Sequence, residues 1–254
     1  LPGKFAIGHN RYSTTGETSL RNIQPFFADL HLGGLSIAHN GNLTNALILR
    51  DSLVKEGAIF RTTSDTETIV QLIAKSKRAK TIDKVVDAIF QIQGGYALVM
   101  LTQNSLIGVR DPFGIRPLVI GKLKNSYVLA SETCALDIIG AKFIREVENG
   151  EIVLIENDEL KSIKPFPPRK IRPCVFEYIY FARPDSIIDK KTADECGVMY
   201  ETTGDVISVN VWICGNKVLR MVENPFTPTR IPYLVCPYEL NPYQFFGIGI
   251  PENM

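Results

Sequence analysis

The sequence predicts an α+β fold: helices packed as a layer on largely antiparallel sheets. Two observations carry this. Between residues 43 and 94 the apolar residues recur at helical spacing, and from residue 95 onward the period shortens to that of strands separated by turns. No G-x-G-x-x-G and no P-loop interrupts either stretch, so a nucleotide-binding α/β domain is not encoded.

In chain order, Lys4–Gly8 and Gly34–His39 read as short apolar strands, each running into a polar block. A helix is predicted after His39-Asn40-Gly41 as far as Glu56. Leu43, Ala46, Leu47, Leu53 and Val54 form its apolar face, and Gly57 stops it. Ser64-Asp65-Thr66-Glu67 fits a capping box that opens a second helix, with Ile69, Leu72 and Ile73 buried. A third helix runs from a Thr81 cap toward Gly94 on Ile82, Val85, Val86, Ile89 and Phe90. Strands are predicted at Tyr96–Leu101, Leu106–Arg110, Leu118–Gly121, Tyr127–Ala130, Ile152–Ile155 and Val175–Phe181. A short helix spans Ser131–Ile138, and Lys161–Pro173 is a basic, proline-rich connector. Residues 1–189 are therefore expected to form one domain. The tail, 190–254, carries prolines without clear periodic elements and offers no readable second domain.

Composition sets the outer bounds. The 254 residues are 45% hydrophobic and 22% charged with a net charge of +1, ordinary values for a globular chain able to bury a large core. The near-neutral balance gives no footprint for nucleic acid or an anionic membrane. No apolar run approaches the ~20 residues of a membrane span. Five scattered cysteines without a C-x-x-C pair favour a reduced, cytoplasmic protein. Leu1-Pro2-Gly3 reads as internal text, so the fold is expected to be N-terminally truncated.

Three polar blocks carry the chemistry: Gly8-His9-Asn10-Arg11-Tyr12-Ser13-Thr14, His39-Asn40-Gly41-Asn42 and Thr63-Ser64-Asp65-Thr66-Glu67. Together they supply what a pocket needs to hold a zwitterionic amino acid such as glutamine. Arg11 can grip an α-carboxylate bidentately, Asp65 can take the α-ammonium, and Asn40 with the Gly41 N–H can serve an oxyanion. Each block has a plainer reading alone: Arg11 a surface ion pair, Asn40-Gly41 a turn, Asp65 a helix-start carboxylate. His9 and His39, at strand ends, suit loop orientation better than metal ligation, since no third ligand stands at metal spacing. Lys75–Lys80 reads as a solvated helix end.

The order of the motifs resembles the glutaminase domain of the amidophosphoribosyltransferase family. The matching text comprises the three blocks above, Asn22-Ile23-Gln24-Pro25-Phe26, Arg110–Leu118, Ala130–Asp137 and Phe176–Ser186. The Arg-Tyr-Ser-Thr form and the Phe-Ala-Arg-Pro-Asp-Ser run set it apart from glucosamine-6-phosphate synthases and asparagine synthetases. The resemblance implies an N-terminal-nucleophile hydrolase of four layers, α-β-β-α. In that family an N-terminal cysteine hydrolyses glutamine, with its own α-amine as base. The ammonia goes to an acceptor domain that uses phosphoribosyl pyrophosphate and Mg²⁺ for the first step of purine synthesis. By resemblance, Arg11 and Asp65 bind glutamine and Asn40 and Gly41 form the oxyanion hole. The family's members are homo-oligomers.

The sequence also departs from the family. Its opening cysteine is absent, as is an Asp-Asp-Ser phosphoribosyl pyrophosphate loop, so the acceptor domain is expected to be largely missing and this chain inactive alone. Asp194-Glu195-Cys196-Gly197-Val198 echoes the family's mature start, which makes Cys196 a displaced substitute for the nucleophile or a coincidence. Cys174 matches an iron–sulfur ligand of one branch, with a plain structural thiol as the simpler reading. A non-catalytic glutamine-binding module and a fragment of another class II glutamine amidotransferase stand as alternatives.

Overall fold

A computed structural model describes residues 5–10, 19–31, 33–172, 174, 177, 186, 209–214 and 217–223, the last two segments as backbone. The chain parts into two compact units, Leu1–Asp189 and Lys190–Met254.

The first unit is built on two antiparallel sheets. After a 3-10 turn at Leu20–Asn22, strands β1 (Phe26–Leu30) and β2 (Gly33–Leu43) form a hairpin. Helices α1 (Ala46–Lys55), α2 (Asp65–Lys75) and α3 (Thr81–Ile89) follow. Next come β3 (Gly94–Leu101), β4 (Ser105–Arg110), β5 (Val119–Leu123), β6 (Ser126–Ala130), helix α4 (Thr133–Ile138), β7 (Lys142–Glu146), β8 (Ile152–Glu156) and β9 (Glu159–Ile163). The larger sheet has the order β1-β2-β3-β4-β8-β9 and the smaller β6-β5-β7.

Strand alternation divides the apolar residues between the layers. On one face of the larger sheet Leu35, Ile37, Tyr96, Leu98, Met100, Ile107 and Ile152 pack beneath Ile69, Ile73, Val85 and Ile89 of the helices. On the other face Ala97, Leu106, Val153 and Ile155 meet Leu118, Ile120 and Leu129 around the smaller sheet. Leu136 of α4 closes the outer side against Val119 and Val128. The layers thus run α-β-β-α, the order the resemblance implied.

Several local expectations are corrected. Asn40-Gly41 is not a turn: β2 runs on to Leu43, pairing Asn40 with Ala97 and Gly41 with Tyr96. The first helix accordingly begins only at Ala46. Leu47 and Val54, read as its apolar face, are 82% and 51% exposed, while Leu53 carries the burial. Ser64 caps α2 as expected, accepting the Thr66 N–H. Glu67, however, reaches past it to the N–H groups of Arg61 and Thr62 at 2.8 and 2.7 Å. Lys80, not Thr81, precedes α3. Phe5–Gly8 joins no ladder, although Phe5 and Ile7 pack against the inter-sheet core. Strands β1, β7 and β9 escaped the periodicity reading, and β9 takes the first residues of the supposed connector. Most of the strand expected at Val175–Phe181 lies outside the described residues.

In the second unit, β10 (Val209–Cys214) and β11 (Lys217–Glu223) pair as an antiparallel hairpin with a bulge at Trp212/Ile213. The sequence reading saw no such element.

Candidate functional site

A cavity of about 650 Å³ lies beside the end of β2. Its walls come from Gly8–Asn10, the stretch Ala38–Gly41, Ser64 and Asp65 at the start of α2, Ala97 and Val99 of β3, the loop Arg116–Leu118, and the β6–α4 junction. Glu177 completes it.

Glycines allow this convergence. Gly41 has φ +143°, and a Cβ on it would fall 2.9 Å from the Gly95 carbonyl carbon and from Tyr96 Cα, closer still to the Gly95 oxygen. Gly94, which faces Leu43 across the ladder, has φ +135° and equally little room. Both positions hold a backbone conformation and a close approach that no L side chain fits. Asn40 alternates to the cavity face with Ala38, whereas His39 shares the helix-facing side of β2 with Ile37.

Asp65 is the first residue of α2, where a negative charge suits the helix dipole. Its Oδ2 accepts the Leu43 N–H at 2.9 Å, and its Oδ1 lies 3.5 Å from His39 Nδ1. Burial alone would raise its pKa. The His39 hydrogen bond and charge and the N–H groups of Leu43 and Thr66 outweigh burial, holding the carboxyl below its ordinary value of 3.8. His39 Nδ1 also lies 3.2 Å from Thr66 Oγ1, and the Gln24 amide ties the group together. Its Oε1 accepts the His39 N–H at 2.7 Å and its Nε2 reaches Thr66 Oγ1 at 3.2 Å.

The opposite wall is also ionic. Arg116 pairs with buried Glu177, and Glu132 accepts the Ser186 hydroxyl at 2.7 Å. Burial pushes Glu177 up, Arg116 opposes this, and the charge of Glu132 adds to it. The loop that presents Arg116 is wound around Asp111, which is fully buried. The Asp111 carboxylate accepts N–H groups from Phe113, Ile115 and Arg116 at 2.9–3.1 Å and from Tyr96 at 3.3 Å.

Of the residues singled out in the sequence, Asn40, Gly41 and Asp65 come together on this cavity, with His9 and His39 beside them. Arg11 and Cys196 lie outside the described residues. Cys174 is half-buried, and among the described residues no group of three His, Cys, Asp or Glu side chains is disposed to hold a metal. An iron–sulfur cluster therefore finds no ligand set among the described residues. Sequence reasoning assigned no role to Gln24, Thr66, Arg116, Glu132 or Glu177. Glu177 did leave a signal: a lone charge inside the apolar run Val175-Phe176-Glu177-Tyr178-Ile179. No helix of the described residues is long and apolar enough to cross a membrane.

Comparison with known proteins fits this geometry. A family model described as a glutamine amidotransferase domain matches residues 9–137. The chain is 55% identical over 193 residues to the amidophosphoribosyltransferase of Rhizobium etli, covering 74% of this chain and 39% of that protein. It is 48% identical over 189 residues to amidophosphoribosyltransferase 1, chloroplastic, of Arabidopsis thaliana, covering 74% and 33%. Among solved structures, the glutamine phosphoribosylpyrophosphate amidotransferase of B. subtilis complexed with ADP and GMP superposes with a TM-score of 0.68 at 42% identity. That match covers 71% of this chain and 39% of the other. The chain thus spans some two fifths or less of the length of these relatives. It belongs to the glutamine amidotransferase domain family and has the fold of that family's amidophosphoribosyltransferase members.

Proposed function

We propose that the chain is the glutamine-hydrolysing part of an amidophosphoribosyltransferase. The observation that carries this is the convergence of Asn40, Gly41 and an ionised Asp65 on one cavity wall. In this reading the Asp65 carboxylate receives the α-ammonium of glutamine, and Arg11 grips its α-carboxylate. The side-chain amide then lies along the Asn40–Gly41 edge. When a thiolate adds to the amide carbon, charge develops on the amide oxygen. The Asn40 side-chain N–H and the Gly41 N–H stabilise it there, a contribution of about 3–4 kcal/mol per well-placed donor. Collapse of the adduct, with the proton given up by the thiol passing to the leaving nitrogen, expels ammonia and leaves a thioester that water hydrolyses to glutamate and the free thiol. No described residue is assigned as the nucleophile.

In the whole protein the ammonia would serve the conversion of phosphoribosyl pyrophosphate to phosphoribosylamine, with Mg²⁺ at the pyrophosphate and assembly as a homo-oligomer. The names of the relatives support the reaction; Mg²⁺ and the homo-oligomer rest on the family resemblance alone.

Isothermal calorimetry with glutamine tests the reading at its base. Wild-type chain is expected to bind, and Asp65→Asn, which keeps an oxygen for the Leu43 N–H, to weaken binding at least roughly tenfold. Equal affinities for the two proteins would refute it. Binding with no glutamate release would favour a glutamine-binding module without turnover.

A further inference from the structure

We propose that His39 is a positioning residue that holds the Asp65 carboxylate in register for a substrate ammonium group. The inference rests on the reading of Asp65 given above and adds a residue to it.

His39 is 4% exposed, so its ring cannot borrow water to satisfy its nitrogens. Nδ1 faces two oxygens, Asp65 Oδ1 at 3.5 Å and Thr66 Oγ1 at 3.2 Å. A carboxylate accepts and never donates, so the proton belongs on Nδ1. Nε2, buried, meets no hydrogen-bond partner among the described residues. Nδ1 is thus the ring nitrogen that meets the carboxylate, and its N–H is shared between Asp65 Oδ1 and Thr66 Oγ1.

The ring is fixed in turn. The Gln24 amide accepts the backbone N–H of His39 and donates to Thr66 Oγ1, the ring's other neighbour, while Ser64 Oγ and Thr66 Oγ1 lie 3.1 Å apart. Asp65 Oδ2 thus accepts the Leu43 N–H and Oδ1 faces His39 Nδ1 at 3.5 Å, so each oxygen has one partner within the fold. Each oxygen keeps a further lone pair for a cation. A carboxylate without the His39 contact could turn about its Cβ–Cγ bond and lose that aim.

The test compares glutamine with glutaramic acid, the same molecule without the α-ammonium, by calorimetry on the whole chain. Wild type is expected to prefer glutamine roughly tenfold or more, and Asp65→Asn to abolish the preference. His39→Leu should reduce the preference roughly tenfold with little change for glutaramic acid, and His39→Asn, whose Nδ2 stands near the Nδ1 position, should restore most of it. If Asp65→Asn loses the preference and His39→Leu keeps it within about twofold, the positioning role is overturned while the Asp65 reading survives. If wild type shows no preference, both fall. Nitrogen-15 NMR of the wild-type imidazole needs no variant to fold: a proton on Nδ1 is expected, and a bare Nδ1 would overturn the proposal.

Discussion

Replacing Gly41 with alanine isolates the strain that shapes the site. At φ +143° an L residue sits in a region that costs about 1–3 kcal/mol. The new Cβ would also lie 2.9 Å from Tyr96 Cα and the Gly95 carbonyl carbon, and nearer to the Gly95 oxygen. All three are backbone atoms of the paired strand, so no rotamer change relieves the contact, and the ladder must open locally. Overpacking of this kind adds about 1–3 kcal/mol, for a sum of about 2–6 kcal/mol. For a unit the size of Leu1–Asp189, roughly 2–4 °C per kcal/mol places the fall in melting temperature at roughly 4–24 °C, with a mid-range value near 12 °C. Gly57 supplies the control. It has φ +95°, also positive, but nothing lies within 4 Å of its would-be Cβ. Gly57→Ala should therefore pay only the backbone term, about 1 kcal/mol or 2–4 °C. Scanning calorimetry of the two variants reads the difference. Equal shifts would refute the argument that close approach of β2 to β3, and not positive φ alone, requires glycine at position 41.

Two further perturbations follow from the ionic groups. Glu151, fully buried, is pushed up by burial, but the Arg145 fork at 2.7 and 2.8 Å, Ser162 and the Glu148 N–H hold it below its ordinary 4.5. A carboxylate so depressed contributes stability that is present above about pH 4.5 and lost as pH falls through its folded value. Glu151→Gln should lower stability at neutral pH by about 1–3 kcal/mol and flatten the acid limb of the denaturation curve; an unchanged acid limb would contradict the assignment. Arg116→Met leaves Glu177 buried without its counter-charge and should cost about 3–5 kcal/mol. Adding Glu177→Leu should recover most of that loss in urea titrations, and simple additivity of the two losses would contradict a coupled pair.

What the sequence reveals depends on the range of the interaction. Helix periodicity and the Ser64 cap are local, so α2 and most of α3 were legible, as were the inner strands β3, β4 and β8, whose residues are apolar on both faces. The edge strands β1, β7 and β9 carry exposed residues such as Phe27, Phe143 and Lys161, and their identity comes from the neighbour they pair with. Asn40-Gly41 misled for a related reason. The pair is a strong turn signal by itself, and only the ladder to Tyr96 and Ala97 keeps it extended. At the site, Asn40, Gly41 and Asp65 were legible as types at the right spacing. Gln24, Thr66 and Glu132 were not, because their roles are hydrogen bonds across 15 to 54 residues of chain.

The position of the site follows from that same extension of β2. A regular strand sends alternate residues to opposite faces, so a binding group on the helix side and an oxyanion group on the sheet side would be separated by the sheet itself. Ending β2 as a turn at Asn40 would bring them together but would lose the Leu43 N–H that Asp65 accepts. The structure keeps the ladder as far as Leu43, with Gly41 and Gly94 at positive φ where the two strands approach closely. His39 then reaches α2 on one side while Asn40 borders the inter-sheet space on the other, and both still touch one cavity. In the function proposed above, these two glycines, whose Cβ positions the facing backbone already fills, are what let a single strand address both an ammonium group and a developing oxyanion.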